Sequence, residues 1–364
     1  MDFGNAKFYS DAVDMASADD VDVVVETIGG YGVALTVAMT ALEGGKSVMT
    51  ANKAMIAMHA DSLVSAAEAT GASLGWEAAV GGGIPCIRGL RDGLSANNVQ
   101  YAAGILNGTC NFILTTMKEE GRAFDDVLAE AQALGYAETP PDLDVDGIDT
   151  AHKLALVAAV ANGCRPNFDA VHAEGIRTIA DADVANADAL GYSIKLLGIA
   201  SKTDGGKVLQ RVHPALIPKD TALGSTHGVL NGLFSVGDFV GPCFAQGPGA
   251  GRDATASAVV ADIVDCARGH NVPTFGAPFA TLPEMDTATM DERVGRYYLR
   301  FDGCEFDEIK AALSGAGIPV EGGGNAAGGA FVATGEHKES AVKSVLDQDT
   351  GTGCSQLIRI EGPW

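Results

Sequence analysis

Apolar residues show two different patterns over the first 85 residues of the chain: short continuous runs and helical spacing. Short runs rich in β-branched or apolar residues, typical of buried parallel strands, occur at 21–26, 46–50 and 72–76. Between these runs the apolar spacing is helical, over residues 33–44 and from 53 to about 70. Strand and helix therefore alternate at βαβ spacing, which predicts a doubly wound parallel sheet.

One expected part of a dinucleotide-binding unit does not occur in this pattern. Such a unit normally opens with a strand, a G-x-G-x-x-G turn and a helix whose N-terminus holds the pyrophosphate. Neither the glycines within 29–32 nor those at 81–83 have that spacing or position. We therefore expect residues 1–85 to be a truncated Rossmann-type sheet, a partial NAD(P)-binding domain that begins after its glycine-rich segment.

The organisation changes after Pro85. Helical patterns at 112–120 and 124–134 precede an acidic stretch and a further helix, and strands are predicted at 194–200, 207–217 and 229–240. Helices combined with pairing strands indicate a mixed α+β domain over residues 86–285, for substrate binding and dimerisation. We expect its helix at 253–268 to pack back on the first domain, and the proline-containing residues 273–286 to be a linker.

The C-terminal residues 293–364 show a third pattern. Strand, helix, strand, strand, helix and strand are predicted in that order, from residues 296–301 to residues 356–360. This βαββαβ order is that of the ferredoxin-like fold. The sequence therefore predicts an α/β protein of three domains.

The stretch from Leu134 to Lys153 carries the densest set of candidate functional groups. It places five carboxylates and a lysine between two apolar helical patterns. The helix that contains HKLALVAAVA is apolar almost all round and is predicted to be buried. Asp149 and Lys153 are four residues apart, so both side chains lie on one face of its first turns.

Two interpretations of this stretch follow from the residues alone. In the first it is a solvated acidic loop with a surface ion pair, worth about 0.3 kcal/mol. In the second the buried helix partly desolvates Lys153 beside an acid, and such an amine can donate a proton to a carbonyl or remove one from a hydroxyl. Glu138 and Asp149 would then accept hydrogen bonds from a substrate ammonium or hydroxyl.

Composition narrows the possible partners. The net charge is −23, whereas nucleic acids and anionic membranes both attract basic faces, so neither is an expected partner. The chain is 47% apolar but has no signal peptide and no uninterrupted apolar run of about 20 residues, which predicts a cytoplasmic protein. Seven scattered cysteines without a CxxC motif indicate reduced thiols and no zinc site.

Five motifs occur in a fixed order along the chain. They are ETIGG at 26–30, ANK at 51–53, EAAVGGGIP at 77–85, GILNGTCN at 104–111 and GYAE…DVDGIDTAHK at 135–153. In this order and spacing the chain resembles the homoserine dehydrogenases, with a C-terminal ACT-like domain. The resemblance implies NAD(P)-dependent interconversion of L-aspartate 4-semialdehyde and L-homoserine, in threonine, methionine and isoleucine biosynthesis. It also implies a homodimer or homotetramer, and it leaves open the choice of NAD or NADP and inhibition by threonine.

The resemblance assigns roles to individual residues. Lys153 matches the catalytic lysine, which would protonate the aldehyde oxygen as hydride arrives at carbon. The residues implied to bind substrate are Glu138, Asp144, Asp149 and Lys53. The residues implied to contact the cofactor are Thr27, Lys53, Gly135 and Gly249.

The glycine-rich turn after the third predicted strand is a candidate metal site. From its spacing alone a plain turn is favoured, although one carboxylate with backbone carbonyls suits a hard cation. The resemblance implies that a structural Na⁺ ion is bound here by Glu77, Val80, Gly82 and Ile84.

Two alternatives belong to other functional classes. The first is a catalytically silent regulatory or assembly subunit of the same family, favoured by the absence of the glycine-rich segment. The second is a semialdehyde dehydrogenase with a thiol nucleophile, for which Cys110 is the only candidate. The seven histidines have no identified role, and His152 is predicted to be a packing residue.

Overall fold

The computed structural model describes residues 4–326, 328–348 and 353–362. Within the described residues the N-terminal unit is a three-stranded parallel sheet in the order β1-β2-β3. The Rossmann-type parallel sheet predicted from the alternating runs is confirmed. Its elements in chain order are α1 (Ala12–Ser17), β1 (Val23–Glu26), α2 (Gly32–Glu43), β2 (Ser47–Thr50), α3 (Lys53–Thr70) and β3 (Leu74–Gly75).

Local signals explain where α3 begins and ends. Asn52 precedes its first residue and accepts a hydrogen bond from the backbone N–H of Met55 at 3.0 Å, which is a typical N-cap. Gly71 follows its last residue with a φ of 76°, a left-handed conformation that favours glycine. The helix therefore starts immediately after β2, and its first residue, Lys53, lies at the carboxyl end of the sheet.

The middle unit is built on antiparallel strands. β6 and β7 pair along their whole lengths, from Tyr192 opposite Pro218 to Lys202 opposite Val208. Both strands are buried on both faces, as expected for central strands, although β7 also buries the polar side chains of Gln210, Arg211 and His213. The strands are β4 (Val99–Ile105), β5 (His172–Ala173), β6 (Tyr192–Lys202), β7 (Val208–Pro218), β8 (Leu230–Gly237) and β9 (Gly241–Pro248).

Helices of the middle unit cover this sheet and support the acidic stretch. They are α4 (Cys86–Arg88), α5 (Gly108–Glu120), α6 (Phe124–Ala133), α7 (Asp142–Val145), α8 (Ile148–Asn162) and α9 (Asp181–Ala189). The burial predicted for α8 is confirmed, because most of its residues are inaccessible, including Leu154, Ala155 and Leu156. α9 and the edge strand β9 were not predicted, and α5 starts at Gly108 rather than at residue 112.

The last helix of the middle unit, α10 (Arg252–Ala267), returns to the N-terminal unit. Its Ala258 and Val259 share a buried cluster with Met49 of β2 and Ala78. The interpretation of residues 273–286 as a linker was wrong. Phe275 and Phe279 are 2% and 3% exposed and belong to the core of the N-terminal unit, and Phe275 packs 5.2 Å from Trp76 between ring centroids.

Apart from an additional two-residue strand, β13, the C-terminal unit has the predicted βαββαβ order. Its elements are β10 (Val294–Asp302), α11 (Phe306–Gly315), β11 (Val320–Ala326), β12 (Gly329–Thr334), β13 (His337–Lys338), α12 (Glu339–Gln348) and β14 (Cys354–Ile360). The strand order β11-β12-β10-β14 is that of a ferredoxin-like sheet. β14 also pairs in parallel with β7, Arg359 opposite Ala215. As far as the structure describes the chain, one 11-stranded sheet therefore runs from the middle unit into the C-terminal unit.

Candidate active site

The carboxyl ends of β1 and β2 face the acidic stretch across a cleft of about 620 Å³. Loops after parallel strands meet at the same edge of a sheet, where nucleotide-dependent enzymes commonly bind their ligands. Asn52 ties the two loops together, donating from its amide to the Gly30 carbonyl at 2.7 Å. The residues that line the cleft include Thr27, Lys53, Glu138, Asp144, Asp149 and His152.

Asp149 is the centre of this cleft's polar network. It lies in the first turn of α8, and its side chain is 9% exposed. One carboxylate oxygen lies 3.1 Å from the Lys53 ammonium, and the other accepts from Lys153 at 2.7 Å. Burial on its own would raise the pKa of Asp149, but the two ammonium groups outweigh burial and hold that pKa well below its ordinary value. Asp149 is therefore ionised and holds two lysines.

Lys153 is largely buried behind Asp149. Its side chain is 12% exposed, and its ammonium donates to Asp149 and, at 2.7 Å, to the carbonyl of Leu106 after β4. The interpretation of this pair as a solvated surface ion pair was therefore wrong. Lys153 does not line the cleft, whereas Lys53 does, with a side chain that is 38% exposed. Burial opposes the charge of Lys53, but Asp149 outweighs burial, and the pKa of Lys53 is raised.

Asn107 joins the buried Asp149 to the half-buried Asp144. It caps α5, where its side-chain oxygen accepts from the backbone N–H of Cys110 at 2.8 Å. This bond fixes the amide orientation, so that its nitrogen donates to Asp144 at 2.8 Å and to Asp149 at 2.9 Å. Sequence reasoning missed this role. An asparagine before a helix predicts a cap, whereas the contact with α7 and α8 is tertiary.

Asp144 and Glu138 complete the acidic side of the cleft. Burial raises the pKa of Asp144, and the charge of Asp149 raises it further, whereas hydrogen bonds from Asn107 and the Glu138 backbone oppose the rise. The two acids that share Asn107 therefore have pKa values shifted in opposite directions, as is common where proton transfer occurs. Glu138 is solvent-exposed but lines the cleft, and its charge favours the positive form of Lys53.

The residues predicted to contact a cofactor lie in different surroundings. Thr27 and Lys53 line the cleft, whereas Gly135 and Gly249 do not. Gly135 ends α6 with a φ of 75°. Gly249 packs so closely that a Cβ atom there would lie 2.0 Å from the Cγ atom of Asn231. Gly249 therefore supports the turn of Gly82, whose added Cβ would lie 2.5 Å from the backbone of Gly249.

Glu77 is buried beside this turn. Its two oxygens accept from the backbone N–H groups of Ile87 and Arg88, each at 2.9 Å. Arg88 also pairs with Asp262 and Asp265, so three carboxylates share one guanidinium group. Burial raises the pKa of Glu77 to about 7. The surplus of buried negative charge and the neighbouring glycine turn fit a hard monovalent cation. In the described ranges, this turn included, no cluster of three or more His, Cys, Asp or Glu side chains is arranged to hold a metal ion, so backbone carbonyls would have to supply most of the ligands here.

Two other sequence interpretations concern residues close to the cleft. Cys110 is fully buried, burial raises the pKa of its thiol, and the thiol donates to the Asp144 carbonyl at 3.2 Å. The interpretation of Cys110 as a nucleophile is therefore wrong, because the thiolate is the reactive form. His152 stacks on Phe168 with ring centroids 4.4 Å apart, which confirms a packing role, although it also lines the cleft. No helix in the described part of the chain is long and apolar enough to span a membrane.

Comparison with known proteins gives consistent results. Residues 85–264 match the family model of homoserine dehydrogenase, and residues 1–77 match its NAD binding domain. The chain is 45% identical over 330 residues to the homoserine dehydrogenase of Pseudomonas aeruginosa, covering 88% of this chain and 76% of that protein. A crystal structure of a homoserine dehydrogenase from Thiobacillus denitrificans is similar with a TM-score of 0.88 and 39% identity, covering 96% of this chain and 83% of that one. A hyperthermophilic archaeal homoserine dehydrogenase in complex with NADPH has a TM-score of 0.64 and 30% identity, over 73% of this chain and 78% of that one.

The parallel sheet, the cleft at its carboxyl edge and these relatives define an NAD(P)-dependent oxidoreductase that acts on a CH–OH group. More specifically, the chain belongs to the homoserine dehydrogenase family. The resemblance to the homoserine dehydrogenases inferred from the five sequence motifs is confirmed, whereas the ACT-like assignment of the C-terminal residues stays a prediction.

Proposed function

We propose that the cleft interconverts L-homoserine and L-aspartate 4-semialdehyde, with Lys153 as the residue that moves the proton. The observation that carries this proposal is the position of Asp149, which holds Lys153 and Lys53 on opposite carboxylate oxygens. An ionised, buried carboxylate fixes the direction of both ammonium groups.

In the reducing direction Lys153 donates a proton to the aldehyde oxygen, and in the oxidising direction it removes the hydroxyl proton. Two of its three N–H groups are used by Asp149 and the Leu106 carbonyl, which leaves one for substrate. Lys153 lies behind the cleft surface here, and catalytic hydrogen bonds commonly tighten only in the substrate complex. When bound, the nicotinamide cofactor supplies or accepts the hydride at the reacting carbon.

The remaining charges of the cleft suit an amino acid. Glu138 and Asp144 lie on its acidic side and would receive the substrate ammonium group. Lys53 is the more exposed of the two lysines and would receive the substrate carboxylate. Asp149 would keep its role as orienting acid, because both of its oxygens already have cationic partners.

The proposal for cofactor binding uses Thr27, Lys53, Gly135 and Gly249. Thr27 and Lys53 line the cleft at the ends of adjacent strands, which supports contact with a nicotinamide ring there. Gly249 would act through the turn that it packs against. The preference for NAD or NADP is decided by titration with each dinucleotide and comparison of the two dissociation constants.

We also propose a structural Na⁺ ion bound by the Glu77 carboxylate and the backbone carbonyls of Val80, Gly82 and Ile84. The support is the surplus of negative charge around Arg88 and the turn formed by Gly81 and Gly82, with φ values of 73° and 55°. The ion would stabilise the connection between the N-terminal and middle units rather than act on substrate.

The domain roles complete the proposal. Residues 1–85 bind the dinucleotide, residues 86–285 bind substrate and form a dimer, and residues 293–364 are an ACT-like regulatory domain. Exposed apolar side chains at the β8–β9 connection support a subunit interface there, because Phe239 is 84% and Val240 is 51% exposed. Light scattering of the purified chain tests for the homodimer or homotetramer.

The experiment that tests the proposed activity follows the absorbance of reduced nicotinamide with L-homoserine and each oxidised dinucleotide. Steady turnover that depends on L-homoserine is expected. Folded protein that binds neither dinucleotide would instead favour the catalytically silent subunit.

A further inference from the structure

The turn between Asp144 and Asp149 is attached to the C-terminal unit by a short segment that no motif identified. We call this segment, residues 174–177, the strap. It follows β5, which pairs with β7 through Ala173 opposite Val212. One end of the strap contacts the C-terminal unit, and its middle contacts the turn between α7 and α8.

At its first residue the strap is held by Arg359 of β14. This guanidinium is 1% exposed and donates to both carboxylate oxygens of Glu174, at 2.7 and 2.9 Å. Its remaining N–H groups donate to Glu339 of α12 at 2.9 and 2.5 Å. Such two-point contacts between a guanidinium group and a carboxylate fix direction as well as distance. The Glu174 backbone is held by Val212 of β7 and its carboxylate also lies 2.7 Å from His172 of β5, but the two-point contact that fixes the direction of the carboxylate comes from the C-terminal unit.

In its middle the strap packs against residues 145–147. The backbone N–H of Ile176 donates to the Val145 carbonyl at 2.8 Å. A Cβ atom on Gly175 would lie 2.2 Å from that same carbonyl oxygen, so only glycine fits. Gly147, with a φ of 82°, lies close to the Glu174 carbonyl, since a Cβ atom on it would be 3.2 Å away. This contact is backbone against backbone, with no flexible side chain between to absorb a displacement.

The last strap residue reinforces the contact. Arg177 donates to Asp142 and to Asp146, each at 2.5 Å, on either side of Asp144. Residues 145–148 lie between Asp144 of α7 and Asp149 in the first turn of α8, and the strap packs on the first three of them. A displacement of the strap therefore moves the two acids relative to each other and to Asn107, which bonds both.

We propose that Glu174 and Arg359 are positioning residues through which the C-terminal unit holds Asp144 and Asp149 in place for catalysis. The proposal rests on the proposed function of the acid–lysine cleft. By this proposal the C-terminal unit contributes to the geometry of the active site through the Glu174–Arg359 ion pair, which lies outside the cleft.

A second ion pair between the same two units provides a matched control. Arg300 of β10 donates to Asp183 of α9 at 2.8 Å, and Asp183 is fully buried. This pair attaches the C-terminal unit to α9, which packs on β6 and α5 rather than on the strap. Removing Arg300 therefore weakens the attachment of the C-terminal unit without acting on the strap.

The test is hydrogen–deuterium exchange of peptides covering residues 142–149 in the wild-type chain, Glu174→Gln and Arg300→Met. In Glu174→Gln the guanidinium keeps its bonds to Glu339, so the variant is expected to fold. We expect exchange at residues 145–147 to rise about tenfold and kcat for L-homoserine to fall about tenfold or more. The dissociation constant of the reduced dinucleotide stays unchanged. Arg300→Met leaves the buried Asp183 without its cation, so its thermal midpoint is expected to fall. Well below that midpoint, its exchange at residues 145–147, its kcat and its dissociation constant stay like those of the wild type.

Two further variants probe the same path. Gly175→Ala inserts a methyl group against the Val145 carbonyl and gives the same signature as Glu174→Gln with the ion pair intact. Arg359→Lys keeps the charge but loses the two-point geometry, and gives an intermediate effect. Unchanged exchange in Glu174→Gln and Gly175→Ala, or an equal rise in Arg300→Met, overturns the proposal. Absence of turnover in the wild-type chain contradicts the proposed function instead, and leaves the exchange comparison valid.

Discussion

Lys153 donates a 2.7 Å hydrogen bond to Asp149, one helical turn before it on α8. The side chains are 12% and 9% exposed, so this i,i+4 pair lies inside the protein. Breaking such a buried pair from one side leaves an uncompensated charge, whereas an exposed pair is worth little. Because Asp149 contacts Lys153, Lys53 and Asn107 through different atoms, the role of each partner can be tested by its own substitution.

Asn107→Ser separates helix capping from the positioning of the acids. Serine is a good N-cap, so α5 keeps its cap, but serine lacks the amide that donates to Asp144 and Asp149. We expect kcat to fall by about tenfold or more because the acids lose their common donor, with the thermal midpoint changed little. Asn107→Asp adds a third acid and should be worse. Equal activity of Asn107→Ser and the wild type would show that the amide bridge is not needed.

Lys53→Met tests the assignment of Lys53 to the substrate carboxylate. A charge-assisted hydrogen bond contributes about 2 kcal/mol, so KM for L-homoserine should rise by about thirtyfold. The value of kcat should fall much less, because Asp149 still holds Lys153. Lys7→Met, at an exposed ion pair with Asp20, is the control and should leave both constants unchanged. A large fall in kcat with unchanged KM would transfer the proton-moving role to Lys53.

How much of this site could be anticipated depends on the distance along the chain over which each contact acts. The i,i+4 spacing of Asp149 and Lys153 and the burial of α8 are local properties, and the sequence predicted both. Asn107 bonds to α7 and α8, and Arg359 bonds to Glu174. These hydrogen bonds join residues that are 37 to 185 positions apart, and no sequence pattern indicates them. Those contacts needed the structure.

In the fold, too, local elements could be predicted from the sequence, whereas contacts between distant elements could not. Apolar runs at βαβ spacing predicted the parallel sheet, and the βαββαβ order predicted the ferredoxin-like unit. Nothing in the sequence indicated that β14 would extend the sheet of β7, because strand pairing between units is non-local. α9 was missed because its sequence DADVANADA lacks the apolar spacing that marks a helix. Its buried Asp183 instead pairs with the C-terminal unit.

Glu77 gives a prediction about sodium and pH. Its pKa is raised to about 7 in the folded chain, above the ordinary value of 4.5, chiefly by burial. Stability associated with the protonated group is therefore present at low pH and lost as pH rises from about 4.5 through about 7. A bound cation compensates the ionised carboxylate, so Na⁺ should raise the thermal midpoint at pH 8 and have little effect at pH 5.

The control for this prediction is tetramethylammonium chloride at equal ionic strength, whose cation is too large for the turn. Glu77→Gln should abolish the difference between the two salts at pH 8. A sodium effect that is independent of pH, or that survives in Glu77→Gln, would place the ion elsewhere.

The central claim is that a buried lysine, oriented by Asp149, moves the proton during homoserine oxidation. The most direct measurement compares Lys153→Met with the wild type for kcat with L-homoserine and for the dissociation constant of the reduced dinucleotide. We predict that kcat falls by about 10² to 10⁴, as expected for loss of a general acid–base group, and that dinucleotide binding is nearly unchanged. Turnover at saturation equal to that of the wild type, with binding lost instead, would contradict the claim.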